Sequence, residues 1–318
     1  MSVPLILMIE RLEHDQICHD NTGPHKVESS KPKSWSGILS SFKPKPITKD
    51  PPNFISVPLT YNEDDYLNWL IVQDFVQPTS TMSVQEAVSR MIETFANYGH
   101  NIRSVGTFII TMAEQIPYWH PSQLKLARLL WTLGRSEERL RKIKPVHCPE
   151  QTIDQFYQDL KEDMTENEAD PGSESEADQV IYVNYQAFLA NVHALEVWEA
   201  SPEPAIWAMK RAFKPKLEPW ELDMADYYVM GAAQWVVWNG QGLFKMILQH
   251  DADASTWTAT SFDEKSPPEI QQLTLELWES WKNEFDKAGD DEKVGAEARN
   301  LAMRAAATMQ GLQRTMQF

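Results

Sequence analysis

The side chains with the plainest capacity for chemistry lie near the N-terminus, where His14, Cys18, His19 and His25 crowd one short stretch. Imidazole and thiolate are zinc ligands, but zinc sites pair their ligands at tight, repeated spacing inside a compact frame. This stretch is Pro-rich and lacks that pairing, so it reads as a tail, and no metal site is expected. His250, Asp251 and Asp253 could hold a hard cation or exchange protons. They fall just after the expected end of a helix, where the dipole favours a His and Asp is an ordinary turn former. His193 and Glu196 stand three apart on an expected helix. That spacing more often satisfies a hydrogen bond than performs catalysis.

The sequence has no Gly-rich phosphate loop ending in Lys and Ser or Thr, no Ser nucleophile between spaced glycines, and no His pair at i, i+4 beside a Glu. No catalytic residue and no cofactor are therefore expected. The most unusual segment runs from Asp223 to Lys245. On a helix of 100° per residue, Asp226, Met230, Gln234, Trp238 and Gln241 fall within about 120° of one another, a polar stripe on an otherwise apolar helix. Gly231, Gly240 and Gly242 each cost that helix about 1 kcal/mol relative to Ala, so something must offset them. Close packing against the surrounding Trp rings is one answer. A pocket that admits a ligand to the backbone near Asn239 and Gln241 is the other, and it makes Asp226, Gln234, Trp238, Asn239 and Gln241 the candidate ligand-binding set.

The elements that would position these residues read as helices throughout. From Ser83, the residues Val84, Ala87, Val88, Met91, Ile92 and Phe95 repeat at helical spacing, with Ser83 and Glu86 as a capping box and Gly99 as a stop. The next stripe is Ile102, Val105, Ile109, Met112 and Ile116 before Pro117, and another follows Pro121 through Leu126, Leu130 and Leu133 to Gly134. Further helices are expected over 180–198, 205–213 and 219–249. Ile270, Leu273, Leu277, Trp281 and Phe285 make a further stripe, with Trp278 on its border. Val294, Ala298, Leu301, Ala305, Met309, Leu312 and Met316 make the last. No alternating strand pattern of useful length is present. The fold class is thus all-α, either a multi-helix bundle or a solenoid-like array of antiparallel helical hairpins.

Two breaks divide the chain. Residues 1–60 hold Pro4, Pro24, Pro32, Pro44, Pro46, Pro51, Pro52 and Pro58, a density that reads as a disordered arm after a first helix over 5–18 at most. Within it Lys26, Lys31, Lys33, Lys43, Lys45 and Lys49 form a basic patch, read as a solvated tail or else a targeting arm. Val3 to Ile9 is apolar but short, without the basic region and cleavage site of a signal peptide. Residues 161–179 carry Glu162, Asp163, Glu166, Glu168, Asp170, Glu174, Glu176 and Asp178 and read as an extended acidic linker. Residues 61–160 are then an N-terminal helical lobe and 180–318 a C-terminal one. Trp198, Trp207, Trp220, Trp235, Trp238, Trp257, Trp278 and Trp281 mark the latter as the denser core.

A net charge of -17 opposes attraction to phosphate backbones and anionic lipid, so neither nucleic acid nor membrane is an expected partner. Only Cys18 and Cys148 are present, too few for a disulfide framework, which fits a reducing compartment.

At Ala232-Ala233-Gln234-Trp235, Trp238-Asn239-Gly240-Gln241, Asn191-Val192-His193-Ala194, Ala205-Ile206-Trp207-Ala208 and Trp278 to Phe285 before an Ala-rich terminal helix, the chain resembles a fungal family catalogued as domain-of-unknown-function family 3632. The resemblance spans roughly Tyr61 to Met316. It implies an all-helical, cytoplasmic or nuclear protein of fungal type and supplies no catalytic residues, while a place beside secondary-metabolite biosynthesis follows by association only. Two functions stay open. One is a non-enzymatic interaction or scaffold protein with a protein partner. The other is a small-molecule-handling accessory protein or enzyme that uses the Asp226 to Gln241 stripe.

Overall fold

The computed structural model describes residues 5, 10–11, 58–59, 63–98, 103–136, 176–197, 201–214, 224–252 and 273–316. The chain forms two compact units, Met8–Thr60 by itself and Tyr61–Phe318 together with Met1–Leu7. In the smaller unit, β1 (Glu10–Arg11) and β2 (Pro58–Leu59) pair in parallel, Glu10 opposite Pro58. The larger unit is all-helical among its described residues. His14, Cys18, His19, His25, the basic patch, Gly99 and Asp253 lie outside the described residues, as do 161–175 of the acidic segment.

Helix α1 (Glu63–Val76) precedes any stripe that the sequence offered. Trp69, Val72, Phe75 and Val76 are buried, and Leu67, Leu70 and Ile71 are half-buried, so apolar residues surround the helix and leave no period to read. Helix α2 (Val84–Tyr98) starts as its residues dictate: Ser83 Oγ accepts the Glu86 amide at 3.1 Å, and Ala87, Val88, Met91, Ile92 and Phe95 are buried. Helix α3 (Arg103–Gln115) stops before Pro117, and α4 (Ser122–Gly134) starts after Pro121, each proline bounding the element as its missing N–H requires.

Helix α5 (Glu176–Ala194) is buried without interruption from Ile181 to His193. Its first residues fall within the acidic segment. It also ends earlier than the expected 198. The Glu196 amide bonds to His193 O at 3.0 Å and the Val197 amide to Val192 O at 3.3 Å, while Glu196 adopts the left-handed conformation with φ 50°. These paired bonds close a helix C-terminus. His193 and Glu196 are therefore not neighbours on one helix face: His193 is buried and Glu196 is an exposed cap residue.

Helix α6 (Glu203–Ala212) is followed by the 28-residue α7 (Ala225–Ala252). Because α7 runs past the expected end at 249, His250 and Asp251 lie within its last turn rather than beyond it. Helix α8 (Leu275–Asp290) is capped by Thr274, whose Oγ accepts the Leu277 amide at 3.2 Å, and it buries Trp278, Trp281 and Phe285 as its stripe predicts. Helix α9 (Ala296–Thr315) buries Ala298, Leu301, Ala305 and Met309.

Packing centres on two helices. Helices α3 and α4 lie on one part of α5, α7 lies on another, and α6 and α9 pack on α7, with α8 against α9. Helices α1 and α2 pack on each other and on α4. Contacts such as α2 on α4, α5 on α7 and α7 on α9 skip a neighbour along the chain, so the helices pack beyond successive pairs. No helix among the described residues is long and apolar enough to cross a membrane.

Candidate functional site

The stripe on α7 does not converge on one point. Asp226, in the first turn, accepts the Gly295 amide through Oδ2 at 2.9 Å, across a sequence separation of 69, and so caps the start of α9. A Cβ on Gly295 would sit 2.5 Å from the same oxygen, so a side chain there would displace the Asp226 carboxylate. Gln234 is buried and its hydrogen bonds stay on its own helix: Nε2 donates to Met230 O at 3.3 Å, and Oε1 accepts from Trp238 Nε1 at 3.1 Å. Asn239 is buried with its amide folded over Gly242, where any side chain would collide with Asn239 Oδ1. Gln241 is exposed. The structure thus brings together Gln234 with Trp238 and Asn239 with Gly242, and sends Asp226 and Gln241 elsewhere.

The α7 glycines answer to neighbours in contact. A Cβ on Gly231 would meet Tyr182 Cε1 at 2.6 Å and Gln186 Cγ at 3.1 Å, so α5 approaches α7 closely at this level. A Cβ on Gly240 would meet Leu312 Cδ1 of α9 at 3.2 Å. These neighbours are tyrosine, glutamine and leucine, not the Trp rings the sequence suggested.

The polar groups that do converge belong to α5. Gln186 Oε1 accepts the buried indole N–H of Trp235 at 2.7 Å, and the His193 ring lies 5.1 Å from the Trp235 ring, edge to face. Tyr182 meets Tyr228 edge to face at 5.7 Å, and the Arg211 guanidinium of α6 lies 5.6 Å from the Tyr228 ring. One turn away, Asn184 Oδ1 accepts the Tyr118 amide at 2.8 Å, and its Nδ2 donates to Glu114 O at 2.8 Å. Gln123 Nε2 lies within bonding distance of Ala113 O, Ile116 O and Asn184 O. Two amide side chains thereby bind the α3–α4 turn to the middle of α5, satisfying carbonyls that a helix end leaves open. Tyr118 also donates to Glu297 Oε1 at 2.6 Å, and burial followed by this carboxylate raises its pKa.

Few titratable groups are poised for chemistry. Burial raises the Glu114 carboxyl to about 7, so it exchanges its proton near neutrality. Burial lowers the Lys125 pKa, and its ammonium donates to Gln77 O at 2.9 Å and Phe75 O at 3.3 Å, capping α1. Among the described residues no three His, Cys, Asp or Glu side chains form a metal-binding group. Asn68 on α1 is buried with neither amide atom hydrogen-bonded, as is the indole N–H of Trp278.

One contact was invisible in the sequence. Gln77, just past α1, accepts the Leu5 amide through Oε1 and donates to Leu5 O through Nε2, both at 3.0 Å. A glutamine at a helix end has many uses, and nothing local announces a partner 72 residues away. The buried amides of α5 left a faint signal instead: Asn184, Gln186 and Asn191 interrupt an otherwise apolar run, which is tolerable only where each finds a partner.

No curated protein and no solved structure matches this chain. The model of the family described as "Protein of unknown function (DUF3632)" matches residues 107–285, from α3 to the Phe285 position of α8. The match takes in α5 and α7 and leaves out the Ala-rich α9. Since it covers more than half of the 318 residues, the chain belongs to the DUF3632 family.

Proposed function

We propose that this chain is a non-catalytic helical interaction protein of the cytoplasm or nucleus, which presents a fixed surface to another protein. The observation that carries this reading is the exposure of two indoles, Trp119 at 55% and Trp207 at 60%, beside the burial of Trp69, Trp235, Trp278 and Trp281. Exposed Trp is costly in water and is enriched where protein interfaces concentrate their binding energy. Trp119 sits on the tight turn that Asn184 and Gln123 hold, and Trp207 stands on α6 with the Lys210 ammonium 5.3 Å from its ring. Both indoles are thus offered from rigid supports. The net charge of -17 favours a protein partner over nucleic acid.

A photo-crosslinking residue placed at position 119 or 207 of the full chain, in the cells that make it, should give discrete adducts with another polypeptide. The same residue at Arg128, an exposed position of α4, should not. Equal labelling at all three positions contradicts the reading.

A second reading, a small molecule held at Asp226, Gln234, Trp238, Asn239 and Gln241, draws support from the exposed Gln241 amide and the half-buried Trp238 ring. Gln241→Leu separates the two. Loss of a ligand's thermal stabilisation with an unchanged melt favours the accessory-protein reading, and no effect on either sinks it.

A further inference from the structure

Gln77 holds Leu5 by main-chain groups alone. Its Oε1 takes the Leu5 N–H and its Nε2 the Leu5 carbonyl, so one side-chain amide stands in for the neighbouring residue of a β-pair. The reader itself is fixed. Nε2 also donates to Gln73 O at 3.3 Å, the Gln77 amide bonds to Asp74 O at 3.1 Å, and Gln77 O accepts from Lys125 Nζ and from the Ser80 amide. Ser122 Oγ and Lys125 meanwhile take the Val76 and Phe75 carbonyls. With the helix end already satisfied from α4, the Gln77 amide is left for a peptide, and two parallel bonds to one residue demand an extended backbone there. The Leu5 side chain is half-buried, and Pro4, Leu5, Ile6 and Leu7 are all apolar.

We propose that Gln77 and the C-terminal end of α1 form a backbone-reading site for an extended apolar peptide, occupied in cis by Leu5. The bonding geometry reads no polar side chain, so the ligand class is an apolar polypeptide segment, and its in-chain example is Leu5. The proposal uses neither Trp119 nor Trp207, and either idea can fail alone.

The test uses the full chain. In the parent, the Leu5 amide exchanges slowly with deuterium. Gln77→Leu accelerates that exchange by roughly ten-fold or more, the equivalent of two lost hydrogen bonds of ordinary net strength, while the α3 amides keep their protection. Gln77→Glu, which keeps the acceptor and loses the donor, gives an intermediate value. In a second arm, Leu5→Pro removes the cis N–H, and a labelled peptide of residues 1–9 should bind this variant about ten-fold more tightly than it binds the Leu5→Pro, Gln77→Leu double variant. Unchanged Leu5 exchange in Gln77→Leu, or peptide binding indifferent to Gln77, overturns the proposal. Protection that grows with protein concentration would place the segment on a second copy and overturn the cis assignment.

Discussion

Helices α5 and α7 are both buried and both carry amide side chains, yet two of the buried amides of α5 cross to other elements, while Asn191 bonds within its helix as Gln234 does on α7. On α5, Asn184 and Gln186 reach other elements, the α3–α4 turn and the Trp235 indole of α7. On α7, Gln234 bonds only within the helix and Asn239 lies over its own Gly242, while Asp226 and the Trp235 indole reach other helices. A hydrogen bond between elements fixes their register as well as satisfying a polar group. A bond inside one helix only silences the group, and the neighbouring helix need not know of it.

That contrast can be attacked by substitution. The largest effect belongs to Asn184→Leu, which strips the Tyr118 amide and the Glu114 carbonyl of partners at once. At about 1–3 kcal/mol for each of the two groups, a loss of roughly 2–6 kcal/mol in chemical denaturation is expected, and a loss under about 1 kcal/mol would deny α5 its linking role.

Glu114, whose carbonyl Asn184 binds, adds a pH arm. Its folded pKa is raised by burial to about 7 from an ordinary 4.5, so the folded chain binds this proton more tightly than the unfolded chain does. Its contribution is fully present below 4.5 and is lost as pH rises through 7. Glu114→Gln should flatten the stability profile across that window, and an unchanged slope would remove Glu114 from the account.

The glycines sharpen the contrast further. Gly231→Ala drives a methyl into the Tyr182 ring between α5 and α7 and should cost about 1–3 kcal/mol, as overpacking does. Gly240→Ala meets only the flexible end of Leu312, so the helix propensity gained, about 1 kcal/mol, should bring its net effect near zero or above. Equal melting shifts for the two would mean that α5 and α7 are not tightly apposed at Gly231. The smallest effect is expected from Gln234→Met, which exchanges an intrahelical amide pair for a side chain of similar volume and should cost under about 1 kcal/mol.

The same contrast explains what the sequence could tell. Helices with one apolar face, such as α2, α4 and α9, announce themselves because period 3.6 separates core from solvent. Helix α1, apolar on all sides, carries no such contrast, and only the onset of folding near Tyr61 was legible. The α7 stripe was readable as polar, but not where each group would turn: Asp226 to α9, Gln234 inward, Gln241 to solvent. Helix α5 ends at a Glu in the left-handed conformation where Gly is the usual signal, which is why its boundary ran long in sequence. Contacts across 49 to 72 residues, Gln186 with Trp235 and Gln77 with Leu5, have no local pattern at all.

The central claim is that Asn184 and Gln186 of α5 join elements while the buried amides of α7 stay on their own helix, and two double-mutant cycles measure it directly. For Gln186→Leu with Trp235→Phe, the bond runs between buried groups on two helices, and a coupling of roughly 1 kcal/mol or more is expected. For Gln234→Leu with Trp238→Phe, the bond spans one turn of a single helix, and the coupling should stay at about 0.5 kcal/mol or less. Equal couplings, or a larger one within α7, would contradict the account.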